Sequence, residues 1–588
     1  MSDALATIVL PLADGARYAG LFADLNTTLW SGVLRVLQAI VAAAPFLVAG
    51  ALTAGLIRGL IGPERLRSLL GVGTRTGPLR AWLLGILLPV DSLGALPVAA
   101  EMRRSGVPGG TVLSFVLVAP VLNPISILYG LSNIVPHTLL FFAAGTFAVS
   151  TGIGLLWNRV IGARHGEAVP GTNDEARITG DATPTGEQPS ATRSLPQGGV
   201  GRLLLAAVTA SRSVVGPVAK DLALALLAVG LLGAFLPHGL LQTGLTRENA
   251  LAPILMGLVA IPAYVTPIDV MMHFGNIVRD GYSLGAAFAL IVLGAGANVG
   301  VAAWVWRDYG LKPLLLFVAL LIGSTMAIGL TADRALIHGR ADAEDHTHAF
   351  DSFTRLPRVS EQEANPTWVV RRVVGEIQRN QTSGAAQVAG LVALAITVIG
   401  GSLVRIPAVD RWVDRQTEPG PDRAAPSDPS FPNTEGPKPS GLNHELTPRQ
   451  LAVAGGLTIV GLAVAGLYLL YPAADELLDE IGDIRLGTYE AIDELDVEET
   501  RRRIAQWRTQ MDKLPTAVRI RGGSVSAEQL ETLAATRHAL QTAEAAVIAA
   551  AQPEAGLAEQ IKARLMRRHL EDSHRGCSAA FRTDRFRE

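Results

Sequence analysis

The residues best placed to do chemistry in this chain are two aspartates and two asparagines set in long apolar stretches, three of them near prolines. Asp91 and Ser92 lie in Leu83-Leu84-Gly85-Ile86-Leu87-Leu88-Pro89-Val90-Asp91-Ser92-Leu93-Gly94-Ala95-Leu96-Pro97. Thr266 and Asp269 lie in Pro262-Ala263-Tyr264-Val265-Thr266-Pro267-Ile268-Asp269, Asn123 lies between Pro120 and Pro124, and Asn298 interrupts an apolar run of its own. A carboxylate at mid-membrane costs roughly 2.5–3.5 kcal/mol on an insertion scale, so such a group is read first as functional. It can exchange a proton during a transport cycle or hold a cation; it can also simply cap a half-helix by accepting main-chain N–H bonds. A buried amide needs partners as well, and finds them in a solute or in a neighbouring helix.

The prolines say how these side chains are positioned. Pro89, Pro97, Pro120, Pro124, Pro262 and Pro267 each lack a main-chain donor and crowd the preceding turn, so helix breaks are expected there. In hydrocarbon, irregular backbone survives only where protein covers it or water reaches it. Asp91, Ser92, Asn123, Thr266, Asp269 and Asn298 therefore form the expected solute or coupling-ion pathway.

The surrounding composition fits a membrane setting. Of 588 residues, 49% are hydrophobic and only 17% charged, too apolar for a soluble chain of this size. The net charge of −2 gives no reason to expect nucleic acid as a partner. The single cysteine, Cys577, excludes an intramolecular disulfide or a Cys-based metal site. Met1 to Asn26 lacks the pattern of a cleaved signal peptide. No Walker loop ends the glycines around Gly71, and no nucleophile–base constellation stands out, so neither an enzyme nor a cofactor is expected.

Apolar runs of about 20 residues, enough to span a bilayer, fall near 34–57, 79–100, 110–131, 136–157, 213–236, 251–273, 284–306 and 313–332. The expected organisation is residues 1–157 as an N-terminal region with a first four-span group, 158–202 as a disordered linker, and 203–335 as a second four-span group. A charged loop (336–384), a ninth span (385–406), a Pro-rich linker (407–448), a tenth span (449–472) and a helical soluble tail (473–588) follow. In the tail, Leu530, Leu533, Leu540, Ala543 and Val547 fall at helical spacing, and Leu477, Ile481 and Ile484 start an earlier helix, with interruptions expected at Pro515 and Gly522-Gly523. A shift of 175 positions carries Arg104, Gly106, Gly110 and Asn123 onto Arg279, Gly281, Gly285 and Asn298, and the second span onto the sixth, breaks included. The expected fold is an all-α polytopic membrane protein of two four-helix repeats, with Pro-broken second and sixth spans meeting near the midplane.

The runs Pro89 to Pro97, Arg103-Arg104-Ser105-Gly106-Val107-Pro108-Gly109-Gly110 and Ala119-Pro120-Val121-Leu122-Asn123-Pro124 resemble a predicted-permease family that includes bacterial organoarsenical efflux permeases. Pro262-Ala263-Tyr264, Gly281, Gly285 and Asn298 resemble its second repeat, and the resemblance covers roughly residues 30–335. It implies a permease and leaves the cargo open. Many members carry cysteines where this chain has Asp91, Ser92 and Thr266; trivalent arsenic prefers thiolate, so arsenical transport does not carry over.

Other polar groups have plainer readings. Arg104 and Arg279 suit interface anchoring better than anion binding. His273 follows Asp269 by one turn and suits either a proton relay or a membrane-edge contact. His338, Asp342, Glu344, Asp345, His346 and His348 match no closed metal-site spacing. Basic residues in the longer loops favour cytoplasmic termini, while those of the first loop argue the reverse. The expectation is a cell-membrane, multi-pass permease moving a small solute or ion by alternating access, with protons coupled through the aspartates. A homo-oligomer through the C-terminal helices is a further expectation. The rival reading is a membrane-embedded scaffold or sensor acting through those same helices.

Overall fold

The computed structural model describes residues 15–72, 74–134, 136–162, 199–236, 241, 244–247, 249–335, 353, 365–379 and 384–417, scattered positions between 450 and 470, and residues 471–552 and 554–582. The chain forms two compact units, Met1–Ile459 and Val460–Glu588. Among the described residues both are helical, with a single isolated bridge between Thr246 and Tyr282.

In the first unit, α1 (Gly15–Leu56) continues into a π-turn, Ile57–Ile61, and a short α2 (Pro63–Leu69) follows. Two interrupted elements come next: α3 (Gly77–Leu87) with α4 (Ser92–Arg104), and α5 (Gly109–Val118) with α6 (Pro124–Asn133). An unbroken α7 (Pro136–Val160) closes this group. After α8 (Gly199–Val215) and α9 (Val218–Phe235) the pattern recurs: α10 (Ala252–Ala260) with α11 (Pro267–Arg279), then α12 (Leu284–Ala289), its π continuation Leu290–Gly296 and α13 (Val299–Tyr309), then α14 (Leu311–Ala335). Helices α15 (Pro366–Arg379), α16 (Gly384–Val404) and α17 (Pro407–Thr417) lie beyond. Five described helices are long and apolar enough to cross a bilayer: Asn26–Ile61, Pro136–Val160, Val218–Phe235, Leu311–Arg334 and Gly384–Val404. The bent pair Leu284–Gly296 and Val299–Tyr309, angled at 54°, makes a sixth if counted as one span. The chain is an all-α membrane protein.

The breaks have local causes. Leu88 precedes Pro89 and is extended at φ −101°, ψ 121°, because a residue before proline is pushed out of the α region. Pro120 and Pro262 sit in the turns that follow α5 and α10. Pro124 and Pro267 are the first residues of α6 and α11, where a missing N–H costs nothing. Pro97 is different: α4 runs through it to Arg104, so it is no break. Interruption is also not confined to the second and sixth apolar runs, because the third and seventh are divided too, the seventh at Ala297-Asn298 with no proline nearby.

The expected boundaries of the loops also shift. Helices α7 and α8 run into the ends of the 158–202 linker, α15 occupies part of the charged loop, and α17 opens the Pro-rich segment. The His/acid cluster from His338 to His348 lies outside the described residues, as does half of the tenth apolar run.

Element boundaries repeat at a constant spacing. Gly77 and Ala252, Ser92 and Pro267, Gly109 and Leu284, Pro124 and Val299, and Pro136 and Leu311 each open a helix 175 positions apart. Gly106 and Gly281 both take positive φ, 76° and 86°, a conformation in which a Cβ is strained. The main-chain N–H of Gly110 donates to Asn158 Oδ1 at 2.8 Å, and that of Gly285 to Asp333 Oδ1 at 3.1 Å. The same two glycines let backbones meet: a Cβ on Gly110 would lie 2.0 Å from the Gly154 carbonyl oxygen, and one on Gly285 2.9 Å from the Gly329 carbonyl carbon.

The second unit packs α18 (Ala474–Glu494), α19 (Val497–Ile520), α20 (Ala527–Ala550) and α21 (Leu557–Phe581) around a core that includes Leu477, Ile481, Trp507, Leu540, Val547 and Leu570. Leu530, at helical spacing with that core, is 45% exposed and outside it. Pro515 lies inside α19 rather than ending it; the helix runs to Ile520 with Arg521 as its cap, and Gly522 takes φ 82°. Buried Leu514 and Ala517 on either side hold the helix together through the proline.

Two measurements follow. Gly110→Val and Gly285→Val should each cost on the order of 1–3 kcal/mol or more through overpacking, read as loss of monodisperse protein in detergent. Gly152→Ala, where nothing lies within 4 Å of the added methyl, should be neutral. In the tail, His574 is buried edge-on against Trp507 with ring centroids 5.6 Å apart. Its burial, reinforced by the Arg485 and Arg582 charges, lowers its pKa from 6.5 to about 4. The unfolded chain therefore binds a proton that the native one refuses, and the stability held above pH 6.5 is lost as pH falls towards 4. The tail's melting temperature should drop across that window, and His574→Phe should flatten the drop; equal slopes in both proteins would refute the assignment.

Candidate functional site

All four interruptions are restarted by a side chain that accepts from the first turn of the new helix. Asp91, extended at ψ −174°, caps α4 by accepting the Gly94 N–H on Oδ1 at 2.5 Å. Asn123 caps α6 reciprocally with Ser126: Oδ1 accepts the Ser126 N–H at 2.9 Å, and Ser126 Oγ accepts the Asn123 N–H at 2.9 Å. Asn298 caps α13 by accepting from Gly300 and Val301 at 3.0 and 3.2 Å. At α11, Thr266 Oγ1 accepts the Asp269 N–H at 3.1 Å and donates to Asp269 Oδ2 at 2.7 Å. Cap-type residues at these positions are what the first free N–H groups of a helix require.

The second functional atom of the Asp91, Asn123 and Asn298 caps then reaches another break. Asn123 Nδ2 donates to the Val90 carbonyl at 3.0 Å, and Asn298 Nδ2 donates to Ser92 Oγ at 2.7 Å. The Val299 N–H donates to the Ile261 carbonyl at 3.0 Å, and the Tyr264 hydroxyl donates to Asp91 Oδ2. Asp91, Ser92, Asn123, Thr266 and Asn298 are all buried. Four helix N-termini, the positive ends of their dipoles, thus converge on one cross-linked centre.

The two aspartates have different surroundings. Asp91 is fully buried, with Tyr264 on one oxygen and the α4 cap on the other. Asp269 is half-buried and lines a cavity of about 330 Å³ together with Tyr264, His273, Arg35 and Gln38. His273 packs against Phe353, ring centroids 5.2 Å apart. Arg104 pairs with buried Glu101 at 3.7 Å, and Arg58 approaches the other oxygen of Glu101 at 3.4 Å. The side chain of Arg279 lies outside the described residues.

Sequence reasoning gave no role to Tyr264, Glu101 or Arg35, nor to the ion pair between buried Asp221 and Arg307. Tyr264 carried a signal, since a hydroxyl between Pro262 and Pro267 sits inside a break. Glu101 carried one in its three-residue spacing to Arg104. Arg35 and Gln38 look like ordinary span-edge residues until α15 covers them.

The family model for a predicted permease matches residues 30–333, just over half of the chain. The UPF0718 protein YcgR of Bacillus subtilis (strain 168) is 28% identical over 86 residues, 15% of this chain and 29% of that relative. The aligned stretch thus spans under a third of the relative's length. No solved structure matches the chain.

Removing a cap should register as stability. Asn123→Ala and Asn298→Ala should each lower it by roughly 0.5–2 kcal/mol from the lost cap alone, and further because Val90 O and Ser92 Oγ lose a donor. Thermal unfolding in detergent checks this; wild-type melting in both variants would show that neither cap supports the centre.

Proposed function

Because the chain belongs to the predicted-permease family, we propose that it moves a small solute or ion across the cell membrane by alternating access, through the crossing of its four interrupted helices. The observation that carries this reading is the linkage of the breaks, in which Tyr264–Asp91 and Asn298–Ser92 join chain segments 173 and 206 positions apart. Discontinuous helices with their N-termini at a common centre are the usual way a transporter builds a polar site inside a bilayer. The core is read as two four-helix repeats. The constant 175-residue spacing, and Asn158 and Asp333 holding equivalent glycine N–H groups, support that duplication.

In this mechanism the halves rock about the centre, and the bonds that join them must open and close. The Tyr264 hydroxyl on Asp91 is the natural coupling bond, since protonating the carboxyl weakens its role as acceptor. Asp269, facing the cavity, is the second group able to exchange a proton or hold a cation, with Asn123, Asn298, Ser92 and Thr266 completing the polar lining. A second reading, a membrane-anchored sensor, draws on the tail having a core of its own. Deleting that unit while flux persists would separate the tail's role from transport.

The test is flux in proteoliposomes loaded with a pH-sensitive dye. Asp91→Asn keeps a cap-competent side chain but cannot titrate, and it should cut proton-coupled flux at least about tenfold, about 1.4 kcal/mol in the barrier. Tyr264→Phe should fall between it and wild type. Unchanged coupling in both Asp91→Asn and Asp269→Asn would end the coupling role.

A further inference from the structure

We propose that the cavity of about 330 Å³ in front of Asp269 binds a small organic cation, and that segments outside the family-matched core build about a third of its wall. As a transport site it rests on the permease reading; as a binding site it stands alone. Arg35 and Gln38 on α1 and Tyr264, Asp269 and His273 around α11 lie within residues 30–333. Phe353, Glu376 on α15 and Gln387 on α16 line the same cavity from beyond residue 333.

The charges facing the cavity are Arg35, Asp269 and Glu376, with His273 one turn beyond Asp269. Glu376 is already satisfied: Oε1 accepts from Arg372 Nε at 3.1 Å, and Oε2 from Gln38 Nε2 at 2.7 Å. Arg35 Nη1 in turn donates to Gln38 Oε1 at 3.1 Å. Among the described residues, the Asp269 carboxylate accepts only the Thr266 hydroxyl and pairs with no cation. Arg35 lines the same wall, yet Asp269 is the cavity carboxylate with no cation paired directly to it.

The remaining wall selects what kind of cation fits. Val41, Val229 and Val373 are apolar, and a hydrated metal ion gains nothing from them. Phe353 and Tyr264 add aromatic rings, which attract alkylammonium groups through their faces. The volume falls at the small end of ligand pockets. Among the described residues no group of three His, Cys or acidic side chains stands ready to hold a metal. A compact alkylammonium satisfies Asp269 and fills the apolar wall together.

The test uses the full chain in lipid nanodiscs, titrated calorimetrically with tetramethylammonium, choline and tetraethylammonium, and with 3,3-dimethylbutan-1-ol as the neutral counterpart of choline. At least one cation should bind saturably, and choline at least tenfold more tightly than the neutral alcohol. Asp269→Asn should abolish that preference, while Phe353→Leu, which keeps apolar bulk in a buried position but removes the ring face, should weaken cation binding several-fold. Equal affinity for choline and its neutral counterpart, no binding of any of the three cations, or full choline affinity in a folded Asp269→Asn protein would each overturn the proposal. If cations bind with this preference but no solute crosses in proteoliposomes, the site stands and the permease reading fails. If solute crosses without any such preference, the permease reading stands and this inference fails.

Discussion

Main-chain N–H groups at the start of a helix need acceptors, and hydrocarbon has none to offer. This chain interrupts four apolar segments in one unit, so the demand arises four times in a medium that cannot meet it. The answer is mutual. Asn123 and Asn298 satisfy their own helix with the amide oxygen and a different break with the amide nitrogen, while Asp91 divides its two oxygens between α4 and Tyr264. A cap with one polar atom would leave each interruption isolated; these caps make the interruptions depend on one another.

That dependence dictates the packing around it. The segments carrying the caps must approach closely, and small residues allow it: Gly110 against Gly154, and Gly285 against Gly329. The added span α16 uses the same device, with Gly390 set against the main chain of Pro45 in α1 and Gly401 against Ser211 in α8. Without a hydrophobic force between helices in lipid, contact of this kind holds them together. Helix α16 is thereby seated against α1 and α8, and α15 is brought over the mouth that Asp269 lines.

The site also separates two roles that a carboxylate in a membrane can play. Asp91 has both oxygens engaged, one by its own helix and one by Tyr264, whereas Asp269 has one neighbour at its own helix start and an open side. Position in the sequence makes them look alike; the difference lies in what covers them. A committed acid suits a joint that must switch, and an uncommitted one suits a guest.

Much of this was written locally in the chain. Apolar length specified membrane helices, Pro89, Pro120 and Pro262 fixed three helix ends through missing donors, and Asp91, Asn123 and Asn298 are of the residue types that restart helices, all properties of a few neighbouring residues. The rest needed the tertiary structure. Pro97 and Pro515 stay inside helices because packing on either side outweighs one lost hydrogen bond. The Ala297-Asn298 break has no proline beside it, and Asn298 finds its partner 206 positions away. Likewise Tyr264 meets Asp91, and Gln38 meets Glu376 across 338 positions. Periodicity and propensity act over a turn or two, whereas the partner of a buried polar atom is chosen by whichever distant segment folds against it.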